Sequence, residues 1–438
     1  MRGVAAPVPS IGRPSPIRAL RHRNYRLFFA GQSLSLVGTW ITRIATSWLV
    51  YRLTGSALLL GVVGFCGQIP TLFLAPFAGV FVDRWDRHRV LLATQVLSLL
   101  QSLALALLAL AGVITVAEVL VLQLLQGVIN AFDTPARQAF VVAMIDDRAD
   151  LPNAIALNSS MVNASRVLGP SIGGVLIAAV GEGWCFMVDA VSYLAVIASL
   201  LAMRLSPRSR PRPETRVFDE LAAGFRYVSQ FSPIRTVLLL LAVVSTMGMP
   251  YAVLMPAIAA KRLHGGPHTL GLLMTASGVG ALGGAFYLAW RQTVLGLGRV
   301  IVIASTVFGL GLVAFGLSRV LWLSLLILPF VGAGFMVSLA ATNTIVQTIT
   351  EEHLRGRVMA FYTMAFLGTA PIGSLLAGIL ADRLGEPTTI VLGGGVCLVG
   401  AAWFASRLPR LRELIRPIYV QQGIIPTPVE SGVPAGLT

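Results

Sequence analysis

GPSIGGVLIAAVGE (residues 169–182) and PIGSLLAGILADRLGE (residues 371–386) are two versions of one pattern. Each opens on a proline set among small residues, Pro170 and Pro371, runs through an apolar stretch of helical length, and closes on a Gly-Glu pair, Gly181-Glu182 and Gly385-Glu386. The copies lie about 200 residues apart. Other landmarks keep that offset: Gly127 precedes Leu151 in the first half of the chain much as Gly332 precedes Leu354 in the second. A repeat at this spacing implies two structural copies with the same topology.

Around these segments the chain is a series of apolar runs, at roughly 27–50, 57–82, 90–112, 117–142, 154–180 and 184–203, and again at 235–259, 269–290, 298–317, 320–346, 358–381 and 387–406. Each can cross ~30 Å of hydrocarbon as a helix, which satisfies its own backbone polar groups in lipid. The totals agree with this reading. Of 438 residues, 56% are apolar and 12% charged, against about 25% charged in an ordinary soluble domain. Too few charged side chains exist to cover a water-facing surface, so we expect an all-α membrane protein of twelve transmembrane helices in two six-helix, parallel-repeat halves.

The net charge of +15 does not indicate a nucleic-acid binder, because the arginines fall in short clusters between apolar runs rather than on one soluble face. Their distribution instead sets an orientation. With the N-terminus inside, 25 Lys and Arg residues are cytoplasmic and five are external: Arg52, Lys261, Arg262, Arg319 and Arg383. Short loops rich in Lys and Arg stay cytoplasmic, so both termini are expected inside. The expected organisation is a basic N-terminus (1–24), a six-helix half (25–204), a cytoplasmic linker (205–233), a second six-helix half (234–406) and a disordered tail (407–438). Within the linker, Ser206–Glu214 is a Pro and Arg stretch, while Val217, Phe218, Leu221, Phe225 and Val228 share one helical face, as in an amphipathic helix lying on a membrane surface.

The segment joining the second and third runs contains Gly79, Asp83, Arg84, Asp86, Arg87, His88 and Arg89, and it resembles the signature loop of the major facilitator superfamily. Asp86 replaces that loop's usual second glycine, as in the bacterial exporter branch that includes siderophore and macrolide efflux proteins. Gly169, Pro170, Gly173 and Gly174 resemble the superfamily's antiporter motif, with Ser165 where another glycine is usual. Gln126–Gln138 and Leu354–Met359 resemble the same exporter branch. The resemblance covers nearly the whole chain and implies the major facilitator fold, whose halves are related by an axis along the membrane normal. It also implies that Asp83 touches the positive N-terminus of the eleventh span near Arg357, and that Arg87 pairs with an acid of the fourth, for which Asp133, Asp146 and Asp147 are candidates. The antiporter glycines would permit close helix packing and a sealed, kinked surface.

Polar residues inside the spans carry the functional reading. Gln126, Asn130, Asp133 and Arg137 form one stripe on the fourth span; Gln32, Ser35, Thr39, Arg43 and Thr46 recur at similar steps on the first; Ser159, Asn163 and Arg166 do so on the fifth. A central Arg or Asp costs ~2.5–3.5 kcal/mol to insert, so these stripes should face a wet or paired interior. Asp133, Arg137 and Asp189 are the candidates for proton coupling, Asp133 and Arg137 being four residues apart on one helical face. Gln32, Thr39, Arg43, Gln126, Asn130, Asn163 and Arg166 are the candidate cavity residues. Arginines outnumber acids within the spans, which favours neutral or anionic cargo over lipophilic cations.

The glycine-rich pieces Gly278–Gly284 and Gly393–Gly395 lie inside apolar runs and lack the Lys-Ser/Thr ending of a phosphate cradle. Cys66, Cys185 and Cys397 are isolated, and the five histidines fall in connections and tails, so no metal site, cofactor or enzymatic centre is expected. The expected function is secondary active export of small amphipathic molecules, drug- or siderophore-like, across the bacterial inner membrane by a single chain using alternating access and proton antiport. An importer or facilitator of the same fold, or a non-transporting receptor or scaffold, is the alternative.

Overall fold

The computed structural model describes residues 17–145, 147–204, 217–291 and 293–425. The Pro and Arg stretch at 206–214 and the last part of the expected tail lie outside the described residues. The spanning helices are α1 (Arg23–Thr54), α2 (Ala57–Arg84), α3 (Arg87–Leu110), α4 (Val116–Ala143), α5 (Leu151–Val180) and α6 (Glu182–Leu201). After α7 (Val217–Gln230) come α8 (Ser232–Arg262), α9 (Pro267–Trp290), α10 (Leu297–Leu317), α11 (Leu321–Ile349), α12 (Arg355–Leu384) and α13 (Glu386–Gln421). Eleven of these are long and apolar enough to cross a bilayer. The twelfth span, α1, is more polar because Gln32, Ser33, Ser35, Thr39, Thr42, Arg43, Thr46 and Ser47 interrupt it.

Local chemistry fixes the helix ends. Asp86 caps α3, its carboxylate accepting hydrogen bonds from the backbone N–H of His88 (2.8 Å) and Arg89 (3.3 Å), which satisfies donors that have no partner within the helix. The two Gly-Glu pairs of the repeat act alike: Gly181 and Gly385 both adopt φ 85°, a conformation that side chains with a Cβ resist. Glu182 and Glu386 then open α6 and α13.

The chain forms two compact units, one of Met1–Thr46 with Phe73–Arg212, the other of Ser47–Leu72 with Pro213–Thr438. The tip of the α1–α2 hairpin thus groups with the later helices. Glycine makes that packing close: a Cβ on Gly61 would lie 2.5 Å from the Ser374 carbonyl oxygen and 2.8 Å from Gly378 Cα, both on α12.

In the first unit, Tyr25, Phe28, Phe140, Met144, Ala154 and Leu200 join α1, α4, α5 and α6 in one apolar core. Small residues set the spacing of α1 from its neighbours. A Cβ on Gly31 would strike Ser199 of α6, and one on Gly169 would lie 2.3 Å from Trp40 Cβ. In the second unit, α9 and α11 cross backbone to backbone, since Cβ atoms on Gly280 and Gly332 would lie 1.8 Å from the Pro329 carbonyl oxygen and 1.9 Å from that of Ser277. Turns of π-helix interrupt α8 at Val244–Gly248 and Ile258–Arg262, and α12 at Met364–Gly368.

The expected linker helix is present as α7, whose Gly224 packs on Arg357 and Phe361 of α12, with the Phe225 and Phe361 rings 6.2 Å apart. One difference from the sequence expectation has a physical cause: α13 continues to Gln421, through Pro409 and Pro417, where a structureless tail from 407 was expected. Leu408 packs over Gly298 and Leu411 is 3% exposed, so apolar burial outweighs the helix-breaking tendency of the prolines.

Candidate functional site

The buried polar groups of the first unit converge on α3. Thr94, Gln95, Ser98, Gln101 and Ser102 are all buried and recur at helical spacing, forming a polar stripe just over two turns long. Toward one end it holds Asp133 of α4: Thr94 Oγ1 donates to Asp133 Oδ1 at 3.0 Å, and Gln95 Nε2 donates to the same oxygen at 2.8 Å. The other oxygen meets Arg137 Nη2 at 3.2 Å, the i,i+4 pairing expected from the spacing. One turn along α3, Ser98 accepts a hydrogen bond from Gln126 Nε2 (3.3 Å), which also donates to Asn130 Oδ1 (3.1 Å). The α4 stripe of Gln126, Asn130, Asp133 and Arg137 is therefore continuous with the α3 stripe.

At the far end of the stripe Ser102 Oγ donates to Asp189 Oδ2 at 2.8 Å. Asp189 is 1% exposed, and Gly38 of α1 packs on it so closely that a Cβ there would lie 2.8 Å from Oδ1. Ser192 Oγ donates to the Asp189 backbone carbonyl at 2.7 Å, Asp189 Oδ1 and the Thr42 hydroxyl are buried without a hydrogen-bond partner, and among the described residues no cation forms an ion pair with Asp189. The neighbouring Tyr193 hydroxyl lies 3.5 Å from Thr39 Oγ1.

A second grouping lies on α1 and α5. Trp40 sits against Gly169, with the Arg43 guanidinium 4.8 Å from its ring centroid and that of Arg166 at 5.6 Å. Arg43 and Thr39 are exposed, whereas Gln32, expected to line the cavity, is 4% exposed and belongs to the packed interior. Asn163 donates to the Ser159 carbonyl one turn before Arg166. Gly169, Pro170, Gly173 and Gly174 are buried, and a Cβ on Gly173 would lie 3.3 Å from Ile41 Cα, so the glycine motif holds α5 against α1.

The signature loop is partly described. Arg87 Nη1 donates to the Ala139 carbonyl on α4 at 3.2 Å, and His88 Nε2 lies 2.9 Å from the Leu200 carbonyl oxygen on α6. Arg89 is exposed. Asp133, a candidate partner for Arg87, is engaged by Arg137 instead. Gly79 lies in α2, but the side chains of Asp83 and Arg84, and all of Asp146, are outside the described residues.

Sequence reasoning missed a third cluster, outside the spans. Arg18 (3.1 Å), Arg21 (2.8 Å) and His22 (2.9 Å) surround Asp150, while Ala19 N–H donates to Asn153 Oδ1 and Tyr25 Oη to the Ala154 carbonyl. The His22 hydrogen bond, together with the charges of Arg21 and Arg18, outweighs burial and holds the Asp150 carboxyl below the usual carboxylate range. Sequence reasoning also missed the α3 stripe and Trp40. The stripe was visible as hydroxyl and amide residues at helical spacing, whereas Trp40 had no local signal because its partner Arg166 comes from another helix. No group of three metal-ligating side chains occurs among the described residues.

Twelve spanning helices in a twofold repeat, with an ionisable polar interior in the first half, are the build of a major facilitator transporter. Solved structures agree on the fold. A POT family transporter in complex with 5-aminolevulinic acid matches with TM-score 0.69 at 12% identity, over 89% of this chain and 96% of its own. A bacterial homologue of the human lysosomal transporter Spinster gives 0.67 at 14% identity, over 94% and 99%. The chain belongs to the family described as Transmembrane secretion effector, whose model matches residues 14–419. Its relatives include the multidrug efflux pump Tap of Mycolicibacterium fortuitum, 30% identical over 86% of this chain and 93% of Tap. The staphyloferrin A transporter of Staphylococcus aureus is 25% identical over 88% and 97%, and the enterobactin exporter EntS of Citrobacter koseri 27% identical over 92% and 96%. The protein is thus a multi-pass membrane transporter and not an enzyme.

Proposed function

We propose that the protein exports small amphipathic molecules across the bacterial inner membrane by alternating access, in exchange for protons, with both termini cytoplasmic. Relatives named as a multidrug efflux pump and as a siderophore exporter support the direction, and the 25-to-5 arginine and lysine imbalance supports the orientation. The observation that carries proton coupling is the contrast between the two buried acids of the first unit. Asp133 accepts from Arg137, Thr94 and Gln95, a set of donors suited to a permanent carboxylate. Asp189 has one hydroxyl partner, Ser102 on Oδ2, and its other oxygen is buried without a hydrogen-bond donor. A hydroxyl can donate or accept, so this pocket suits either a carboxylate or a carboxylic acid. We therefore assign proton exchange to Asp189, and a structural role to the Asp133–Arg137 pair.

Protonation drives transport only if the two access states bind the proton unequally. Asp189 meets that condition if rocking of α1 moves Gly38 and Thr42 away from it. The test is cargo accumulation in proteoliposomes under an imposed pH gradient. Asp189→Asn should still equilibrate cargo down its own gradient but lose gradient-driven accumulation, while folded Asp133→Asn should keep it. A well-folded Asp189→Asn protein that accumulates cargo at the normal rate would remove Asp189 from the mechanism.

A further inference from the structure

Arg43 and Arg166 bring two guanidinium groups onto one indole in the middle of the spans, 4.8 and 5.6 Å from the Trp40 ring centroid. Like charges so placed repel, and a charge at mid-span is costly unless water or an opposite charge meets it. Arg43 is exposed, and among the described residues it forms no ion pair. The two span acids that could have neutralised Arg43 are engaged elsewhere, Asp133 by Arg137 and Asp189 by the Ser102 hydroxyl. A purely structural arginine would more simply have been given a carboxylate.

The site is also built rigidly. Trp40 can occupy its position only because residue 169 is glycine, since a Cβ there would lie 2.3 Å from Trp40 Cβ. The indole then offers both cations a shared π surface, which holds them together when no anion is bound. Guanidinium groups present planar pairs of donors that match a carboxylate.

We propose that Arg43 and Arg166, gathered on Trp40, are a clasp for the carboxylate of an amphipathic organic anion, which is the cargo class this protein takes. The assignment rests on the export reading above and narrows it. It predicts discrimination by charge at constant shape. Carboxyfluorescein and rhodamine 6G share a xanthene body but differ in charge, the first anionic and the second a cationic ester.

In detergent, fluorescence anisotropy should show the wild-type protein binding carboxyfluorescein at least tenfold more tightly than rhodamine 6G. Arg43→Ala and Arg166→Ala should each weaken carboxyfluorescein binding tenfold or more, the scale of one lost charge-assisted hydrogen bond, without weakening rhodamine 6G. Arg43→Lys should recover part of the loss, because it restores charge but not the planar fork. The proposal is overturned if the wild type shows no preference for carboxyfluorescein, including by binding neither dye, or if folded Arg43→Ala and Arg166→Ala bind it normally. The wild-type comparison needs no variant, so misfolding of one does not blunt the test. Proteoliposomes separate the two readings. Arg43-dependent, charge-selective binding with no dye movement would keep the clasp and remove export, whereas export of both dyes without charge preference would keep export and remove the clasp.

Discussion

Removing Arg137 should damage the protein more than removing its partner, and removing both should be milder than removing Arg137 alone. Asp133 is buried, with its side chain 8% exposed, while that of Arg137 is 25% exposed. In Arg137→Met the carboxylate keeps its bonds from Thr94 at 3.0 Å and Gln95 at 2.8 Å but loses its cation. Breaking a buried pair typically costs ~3–5 kcal/mol. Two neutral donors remain here and Arg137 is partly hydrated, so we expect about 2–3 kcal/mol, near the value of a charged hydrogen bond. Asp133→Asn leaves an amide that can still accept from Gln95 and an arginine that reaches water, so its cost should be about 1–2 kcal/mol. The double variant strands no charge, and a coupling of about 2–3 kcal/mol in its favour, larger than the cost of Asp133→Asn alone, should appear in the cycle. Reaction of a thiol dye with buried Cys185 and Cys397 on heating reports unfolding, and an SDS titration gives the free energies. An Arg137→Met protein as stable as wild type, or a double variant less stable than Arg137→Met, would refute the assignment of this pair to structure.

Two further outcomes follow from the packing and the N-terminal cluster. Gly280→Ala should destabilise strongly, by ~1–3 kcal/mol or more for overpacking, because its Cβ meets the Pro329 carbonyl oxygen at 1.8 Å. Gly283→Ala, with nothing within 4 Å of its Cβ, should be neutral or gain ~0.5–1 kcal/mol of helix propensity; equal melting of the two would refute the close crossing of α9 and α11. The Asp150 carboxyl is held below its ordinary value, so its stabilising effect is complete above the unfolded carboxyl pKa of ~3.9 and is lost only as pH falls through the lower folded value. Protection of residues 17–26 against hydrogen exchange, relative to the unstructured rate at each pH, should therefore hold from neutral pH down to about 4 and be reduced throughout that range in Asp150→Asn; identical protection in the two proteins would show that Asp150 does not hold the segment.

Much of the fold was legible because a membrane makes local rules strict. An apolar run of spanning length has few options but a helix, and the Gly-Glu ends were readable because positive φ is a requirement of one residue rather than of its surroundings. The end of α13 was not legible. Its prolines argue locally for a break, and the opposing term, burial of Leu408 and Leu411, is tertiary. The grouping of Ser47–Leu72 with the later helices was hidden for the same reason, since Gly61 reveals its use only beside Ser374 and Gly378.

The candidate site divides along the same line. Charges inside spans stand out from the sequence, so Asp133, Arg137, Arg43, Arg166 and Asp189 could be named, but their pairings could be read only within one helix. The i,i+4 pair was found in advance, and the α3 stripe was overlooked because hydroxyls and amides barely register against leucine. The polarity of α1 is the clue that joins these readings. A helix that must carry Thr39, Thr42 and Arg43 through lipid cannot be held by apolar burial alone, and it is instead wedged between neighbours by glycine. Gly31 and Gly38, two turns apart, set it against Ser199, Ser192 and Asp189 of α6, while Gly169 and Gly173 set α5 against Trp40 and Ile41. One turn of α1, residues 38–43, thereby touches the acid to which we assign proton exchange through Gly38 and carries Arg43 of the proposed anion clasp. Any shift of this helix that exposes one site must move the other, which is the mechanical link that coupled transport needs.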